Sequence, residues 1–360
     1  VFSIAGITMV GQVEHNNEVT IRANVTPQLK GDFFTFDLQR TQKIFETVPW
    51  VRRAVVEREF PNRLRVKLEE HQPVAYWAKE SQGRLLNKQG EQPTEAQGRA
   101  MGRFVESHGG SYIAAEDVGV SPQFCDWMAQ ECRHIMGGEA VSHGGDPSPW
   151  TALGCFNSMK ASLRHLGRKV DFSNLSVGVQ GCGATGYKLA KLLRSAGAAV
   201  MVTDVHVPTM KRAVEELGCV AIGNDRNLFH EKLDILAPCA MGGMLDHATI
   251  TNLHCEIICG TANNQLMNPH TDGALLKKRG ILYSPDFIAN AGGLIRLGGL
   301  HLGMTEATID QKVAAIEETT LAVMRESAHT ESVSDAAIAY AKRRIDAARK
   351  VKEAHLAPTS

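Results

Sequence analysis

Residues 175–204 read LSVGVQGCGATGYKLAKLLRSAGAAVMVTD. Residues 175–179 are an apolar, partly β-branched run, as a strand buried on both faces requires. Gly181, Cys182, Gly183, Ala184, Thr185 and Gly186 follow as G-x-G-x-x-G. The first glycine of such a turn permits the reversal, the second lets backbone approach a pyrophosphate, and the third lets helix pack on strand. The helix that follows aims its N-terminal N–H groups at the phosphates. Residues 200–203 read as a second buried strand, ended by Asp204. An acid about 20 residues past the glycines accepts hydrogen bonds from an adenine ribose and repels a 2′-phosphate. Strand, turn, helix, strand and acid occur together in the required order, so the stretch predicts a Rossmann-type dinucleotide site with NAD as its cofactor. The residues alone also allow a glycine-rich turn that binds nothing.

The surrounding chain repeats that alternation. Strands are expected near 175–180, 199–204, 218–222, 234–238, 256–260 and 281–284, with helices between them, which predicts a doubly wound α/β sheet. GGDPSPW at 144–150 reads as a loop before a helix at 151–167. Residues 99–140 read as two helices around SYIAAEDVG, and residues 305–328 and 332–355 as amphipathic helices with solvated charged faces.

Residues 1–92 differ in character. Residues 51–60 and 63–70 alternate as strands, with Leu64, Val66 and Leu68 on one face and Arg65, Lys67 and Glu69 on the other. Pro61-Asn62 reads as the hairpin turn. Asp37 is an expected N-cap for a helix through Ile44 and Phe45. This is a small α+β module, joined to the rest through the polar stretch EQPTEAQG at 91–98. The expected divisions are 1–92, a 93–143 remnant of a substrate domain, a cofactor domain at 144–330, and a C-terminal helix at 331–360.

Bulk properties bound the function. The 360 residues carry a formal net charge of +0 and are 43% hydrophobic. Length predicts more than one domain, and neutrality gives no support for nucleic acid or a membrane surface as partner. No apolar run reaches the roughly 18 residues that span a bilayer. No basic start with an apolar core marks a signal peptide, and the chain opens at Val1, so its natural start is expected upstream. All eight cysteines, from Cys125 to Cys259, lack C-x-x-C spacing. They read as free thiols of a reducing compartment, with no metal expected.

From about Thr94 to Arg349 the chain resembles the glutamate/leucine/phenylalanine/valine dehydrogenase family, most closely its leucine and phenylalanine branch. The motifs are GRFVESHGGSYIAAEDVG (102–119), GDPSPWTALG (145–154), GCGATG (181–186), DILAPCAMGG (234–243), GTANNQL (260–266) and SPDFIANAGGLI (284–295). The resemblance implies NAD-dependent oxidative deamination of an L-amino acid to its 2-oxo acid in the cytoplasm, by a homo-oligomer. It implies Asp117 as the catalytic aspartate and Ala115, Leu294 and Leu297 as lining of an apolar side-chain pocket. It places Thr151, Asp204, Cys239, Ala240, Asn263 and Asn290 around the cofactor. Such a pocket suits leucine, valine or phenylalanine and would leave a second carboxylate unpaired. By themselves Asp117 is also readable as a cap or loop aspartate, Leu294 and Leu297 as helix core, and the asparagines as turn residues.

The chain also departs from that family. A glycine-rich GGGK segment with a catalytic lysine, and an upstream lysine for the substrate carboxylate, precede the first motif in the family and do not occur here. Lys79 and Lys88 precede it in unrelated surroundings. In that place residues 1–92 resemble the POTRA domain of the cell-division protein FtsQ. The carriers are ITMVGQVEHNN (7–17), GDFFTFDL (31–38), VPWVRRAVVEREFPNRLRVKLEEHQPVAYW (48–77) and LLNKQGE (85–91). That resemblance implies an inner-membrane protein that meets division partners in the periplasm, with an anchor helix ahead of Val1. Three readings therefore stand: an amino-acid dehydrogenase impaired by its missing lysines, a division-protein interaction module, and a join of the two without joint function.

Overall fold

The computed structural model describes residues 6–10, 21, 24–25, 28–29, 37–48, 50–60, 62–71, 73–77, 84–87, 93–117, 120–142, 144–223 and 227–356. The chain divides into two compact units, Val1–Asp146 and Pro147–Ser360.

In the first unit, strands β1 (Gly6–Val10), β2 (Val51–Glu59) and β3 (Arg63–Glu70) form a sheet in the order β1-β3-β2. β2 and β3 pair antiparallel, Val56 against Val66, and β1 runs parallel to β3. Helix α1 (Leu38–Glu46) is capped by Asp37, whose Oδ1 accepts the Arg40 N–H at 2.9 Å. Its Ile44 and Phe45 pack with Val56, Val66 and Leu68 in one apolar cluster, while Arg65, Lys67 and Glu69 stay exposed. The alternation read from the sequence is thus the pleat of a sheet with one wet face. Pro61 and most of 11–36 lie outside the described residues. β4 (Pro73–Trp77) and β5 (Arg84–Asn87) pair antiparallel.

Helices α2 (Glu95–Glu106) and α3 (Pro122–Ala129) pack around Val105, Cys125, Met128 and Ile135, a cluster separate from that of the sheet. The expected linker at 91–98 is partly helix. Thr94 and Gln97 form a capping box, each side chain serving the other's backbone N–H. Polar residues there signal a helix start as readily as a linker.

The second unit holds helix α4 (Ser148–His165) and six parallel strands: β6 (Ser176–Gln180), β7 (Ala199–Thr203), β8 (Val220–Ala221), β9 (Lys232–Pro238), β10 (His254–Ile258) and β11 (Leu282–Tyr283). Their order is β11-β10-β9-β6-β7-β8. The order reverses at β6/β9, the switch point where a ligand crevice opens at the carboxyl ends of the strands. Helices α5 (Ala184–Ser195), α6 (Val207–Leu217), α7 (His247–Thr251) and α8 (Thr271–Lys278) connect the strands. Successive residues of β9 and β10 face opposite sides. Ile235, Ala237 and Ile257 join a core with α4 and α5, whereas Leu236 and Ile258 join one with Ile250 of α7 and Leu276 of α8. The unit closes with α9 (Asp286–Ala289), α10 (Ala291–His301), α11 (Glu306–Ala314), α12 (Ile316–Glu326) and α13 (Val333–Leu356). α4 begins three residues before the expected position, because Pro149 sits in its first turn, where a missing N–H costs nothing.

Candidate cofactor site

The glycine turn follows β6 at the switch point. Gly181 has φ +95°, and its N–H donates to Thr203 O at 2.8 Å. A Cβ on Gly186 would stand 1.9 Å from Gly181 O, so the turn closes only with glycine at 186. A Cβ on Gly183 would meet nothing within 4 Å. Gly183 is the N-cap of α5, and no side chain caps that helix. The N-terminal N–H groups of α5 therefore border open space, the arrangement an anionic pyrophosphate fits.

Asp204, at the end of β7, reaches across this turn. Its Oδ2 accepts the Cys182 N–H at 2.6 Å and its Oδ1 accepts the His206 N–H at 2.7 Å. An ionised carboxylate has about four lone-pair sites, so each oxygen keeps capacity for a hydroxyl donor. The residues present fit an adenosine ribose and pyrophosphate.

The opposite side of the switch point is built by the loops after β9, β10 and β11. Cys239 N–H donates to Gln180 O at 2.7 Å, which seats Cys239 and Ala240 against the glycine turn. Burial pushes the Cys239 thiol up to about 11 and the Cys182 thiol up to about 12. Neither is a thiolate at neutral pH, so neither serves as a nucleophile. Thr261 Oγ1 bonds Thr185 Oγ1 at 2.9 Å, tying the loop after β10 to the first turn of α5. Asn290 Nδ2 donates to Asn263 Oδ1 at 2.5 Å and to Thr261 O at 3.3 Å. Asn290 and Asn263 thus form a joined amide pair rather than two separate turn residues.

The start of α10 lies directly on α4. A Cβ on Gly292 would stand 1.9 Å from Trp150 O, and Thr151 Oγ1 lies beside Gly293. Leu294 is 77% exposed and Leu297 only 7%. The two therefore do not form one equivalent apolar face; Leu297 is core-like and Leu294 is open. Arg296 stacks on the Trp150 ring at 4.3 Å and is paired with Glu306.

Asp117 and Ala115 belong to the first unit. The adjoining Ala114 bridges to Ile135, and the Val120 N–H donates to Asp117 O at 2.9 Å. Asp117 is exposed and Ala115 half-buried. Lys79 and Lys88 lie outside the described residues. All eight cysteines are free thiols. Among the described residues no three His, Cys, Asp or Glu side chains converge as metal ligands, and no helix is long and apolar enough to cross a membrane.

Thr261, Gln265 and Gly292 lie in the candidate site although the sequence reading does not single them out. GTANNQL and NAGG carry the signal, but the resemblance assigns roles only to Asn263 and Asn290.

The leucine dehydrogenase of Thermoactinomyces intermedius is 36% identical over 265 residues, spanning 73% of this chain and 72% of the relative. The chain belongs to the glutamate/leucine/phenylalanine/valine dehydrogenase family. The sequence pattern of that family matches residues 202–357, and the FtsQ-type POTRA pattern matches 2–71. A valine dehydrogenase from Streptomyces virginiae is 40% identical over 227 residues, 62% of this chain and 63% of the relative. The crystal structure of L-tryptophan dehydrogenase from Nostoc punctiforme superposes with a TM-score of 0.61 at 29% identity, covering 80% of this chain and 78% of that one. Both resemblances read from the sequence, one for each part of the chain, therefore hold.

Proposed function

We propose that the second unit binds NAD and that this amino-acid dehydrogenase acts on leucine-, valine- or phenylalanine-type substrates with impaired turnover. One observation carries the cofactor reading: the Asp204 carboxylate accepts the Cys182 N–H inside a glycine turn that opens onto an uncapped helix N-terminus. That juxtaposition supplies an acceptor for a ribose diol beside donors for a pyrophosphate. A carboxylate there repels a 2′-phosphate, which supports NAD over NADP. Asn263 and Asn290 would hold the nicotinamide end, with Thr151, Cys239 and Ala240 around it.

When bound, the cofactor supplies the hydride acceptor for the Cα of an L-amino acid. Water and the resulting imine then give 2-oxo acid and ammonium. In this reading Asp117 carries protons between the substrate nitrogen and water, and Ala115, Leu294 and Leu297 receive an apolar side chain. The relatives named for leucine, valine and tryptophan support substrates of this kind.

Residues 1–92 are proposed as a POTRA-type interaction module joined to this dehydrogenase part without joint function. The POTRA match at 2–71 favours that second reading. Cofactor chemistry and free thiols fit a cytoplasmic setting for the larger part, whereas division partners of the smaller would be periplasmic. Fluorescence titration with NADH and NADPH tests the cofactor reading. Tighter NADH binding is expected, and equal or tighter NADPH binding would overturn it.

A further inference from the structure

Residues 260–265 form a turn shaped from within by one side chain. Gln265 is 1% exposed, and its Nε2 donates to the carbonyl oxygens of Gly260 and Ala262, both at 3.0 Å. Two facing carbonyls fix the orientation of the amide, because only its NH₂ end can serve both. The turn is tied to its neighbours as well. Ala262 N–H donates to Pro238 O at 3.0 Å and Gly243 N–H to Asn264 O at 2.7 Å. Asn264 has φ +52°, a left-handed turn conformation that asparagine adopts more readily than other non-glycine residues. This left-handed residue stands between Gln265 and Asn263, the partner of Asn290.

We propose that Gln265 is a positioning residue: its buried amide locks the 260–264 turn so that the Asn263–Asn290 pair is presented ready-formed to the nicotinamide end of the cofactor. The proposal rests on the NAD reading above. Gln265 spends its Nε2 donors on backbone carbonyls while its Oε1 is buried without a hydrogen-bond partner, so its grip on the turn is through those donors and it acts through Asn263. Without those bonds the Gly260 and Ala262 carbonyls lose their common brace, and the turn samples shapes in which Asn263 and Asn290 no longer pair. Binding at that end weakens by the fraction of time the competent shape is lost. The adenosine end, held by Asp204 and the glycine turn, is unaffected.

Calorimetry on the full chain separates the two ends, using NADH as the whole cofactor and ADP-ribose as the same molecule without its nicotinamide. Gln265→Met keeps length and removes both donors; Gln265→Glu keeps shape and sets a carboxylate against two carbonyls. Each is expected to weaken NADH binding by roughly 10-fold or more while changing ADP-ribose binding by less than about 2-fold. In an Asn263→Ala background, the Gln265 substitutions are expected to add less than about 2-fold further loss for NADH. Retained ADP-ribose binding certifies the fold. Equal losses for both ligands, undiminished NADH affinity, or full additivity with Asn263→Ala would overturn the proposal. A wild-type chain that binds neither ligand would instead overturn the cofactor reading on which it stands.

Discussion

In the proposed cofactor reading Asp204 discriminates between NAD and NADP by charge, and two backbone N–H groups, of Cys182 and His206, hold its carboxylate beside the glycine turn. Asp204→Asn keeps an acceptor oxygen and removes the repulsion. NADPH binding is expected to tighten by roughly 10-fold, about 1–2 kcal/mol, relative to NADH; an unchanged ratio in competitive titration would place the 2′-position elsewhere. A second aspartate matters for stability. Asp126 accepts the N–H groups of Glu139, Ala140, Val141 and Ser142 at 2.8–3.2 Å. Burial alone would raise its carboxyl, but these four donors outweigh it and hold it below its usual range. A depressed folded-state pKa stabilises above the unfolded value of about 3.9, and the contribution is lost as pH falls through the folded value. Asp126→Asn should therefore cost about 1–3 kcal/mol at neutral pH and progressively less below pH about 4. Calorimetric melting at several pH values reads this, and a pH-independent loss would show that charge is not what fastens the loop. Asp204 was legible because turn, strand and acid lie within 30 residues of continuous sequence. Asp126 and Gln265 were not, since hydrogen bonds to backbone leave no periodic trace in a sequence.

At the scale of elements, the turn into α5 separates the needs of the fold from those of the ligand. Gly186→Ala puts a methyl 1.9 Å from Gly181 O and must open the turn. It is expected to cost about 1–3 kcal/mol of stability and to abolish NADH binding. Gly183→Ala meets no protein atom within 4 Å and keeps an ordinary φ of −67°. Its stability should change by less than about 0.5 kcal/mol, while NADH affinity falls because the methyl occupies the space open to the pyrophosphate. Comparing melting temperature with affinity for the two variants decides; full affinity in Gly183→Ala would mean that no phosphate sits there. Every strand of the parallel sheet was legible from its apolar run, even β8 and β11, which shrink to two residues each at the sheet edges, although both residues of β8 are exposed. Starts of helices were less legible. Pro149 falls in the stretch that reads as a loop and Thr94 in the stretch that reads as a linker, although proline and threonine are also residues that open helices.

At the scale of the molecule, the sheet of the first unit and the helices α2 and α3 have separate apolar clusters, with β5 ending at Asn87 and α2 beginning at Glu95. Limited proteolysis with a broad-specificity protease is expected to cut near Thr94 and release a POTRA-type fragment that stays folded; a chain resistant there until global unfolding would join the two clusters into one body. The same division bears on the proposed impairment of activity. In the dehydrogenase family that this chain belongs to, the resemblance implies one lysine that fixes the substrate carboxylate and another that activates water, both from a segment whose place is taken here by residues 1–92. Asp117 remains and cannot stand in for them, because a carboxylate repels the substrate's own carboxylate and has the wrong charge to stabilise an oxyanion. Arg296, a basic residue on α10 between Leu294 and Leu297, is already engaged by Trp150 and Glu306. Losing an acid–base group costs roughly 10²–10⁴ in rate, and losing the grip that aligns Cα with the nicotinamide can cost as much again. The expected outcome is therefore a chain that binds NADH yet reduces NAD with leucine, valine or phenylalanine at least about 10²-fold more slowly than full-length relatives. Absorbance at the NADH band under saturating substrate measures it, with a relative such as a leucine dehydrogenase as reference. Turnover within a few-fold of that reference would show that some other group supplies what the lysines do, and would return this chain to the working enzymes of its family.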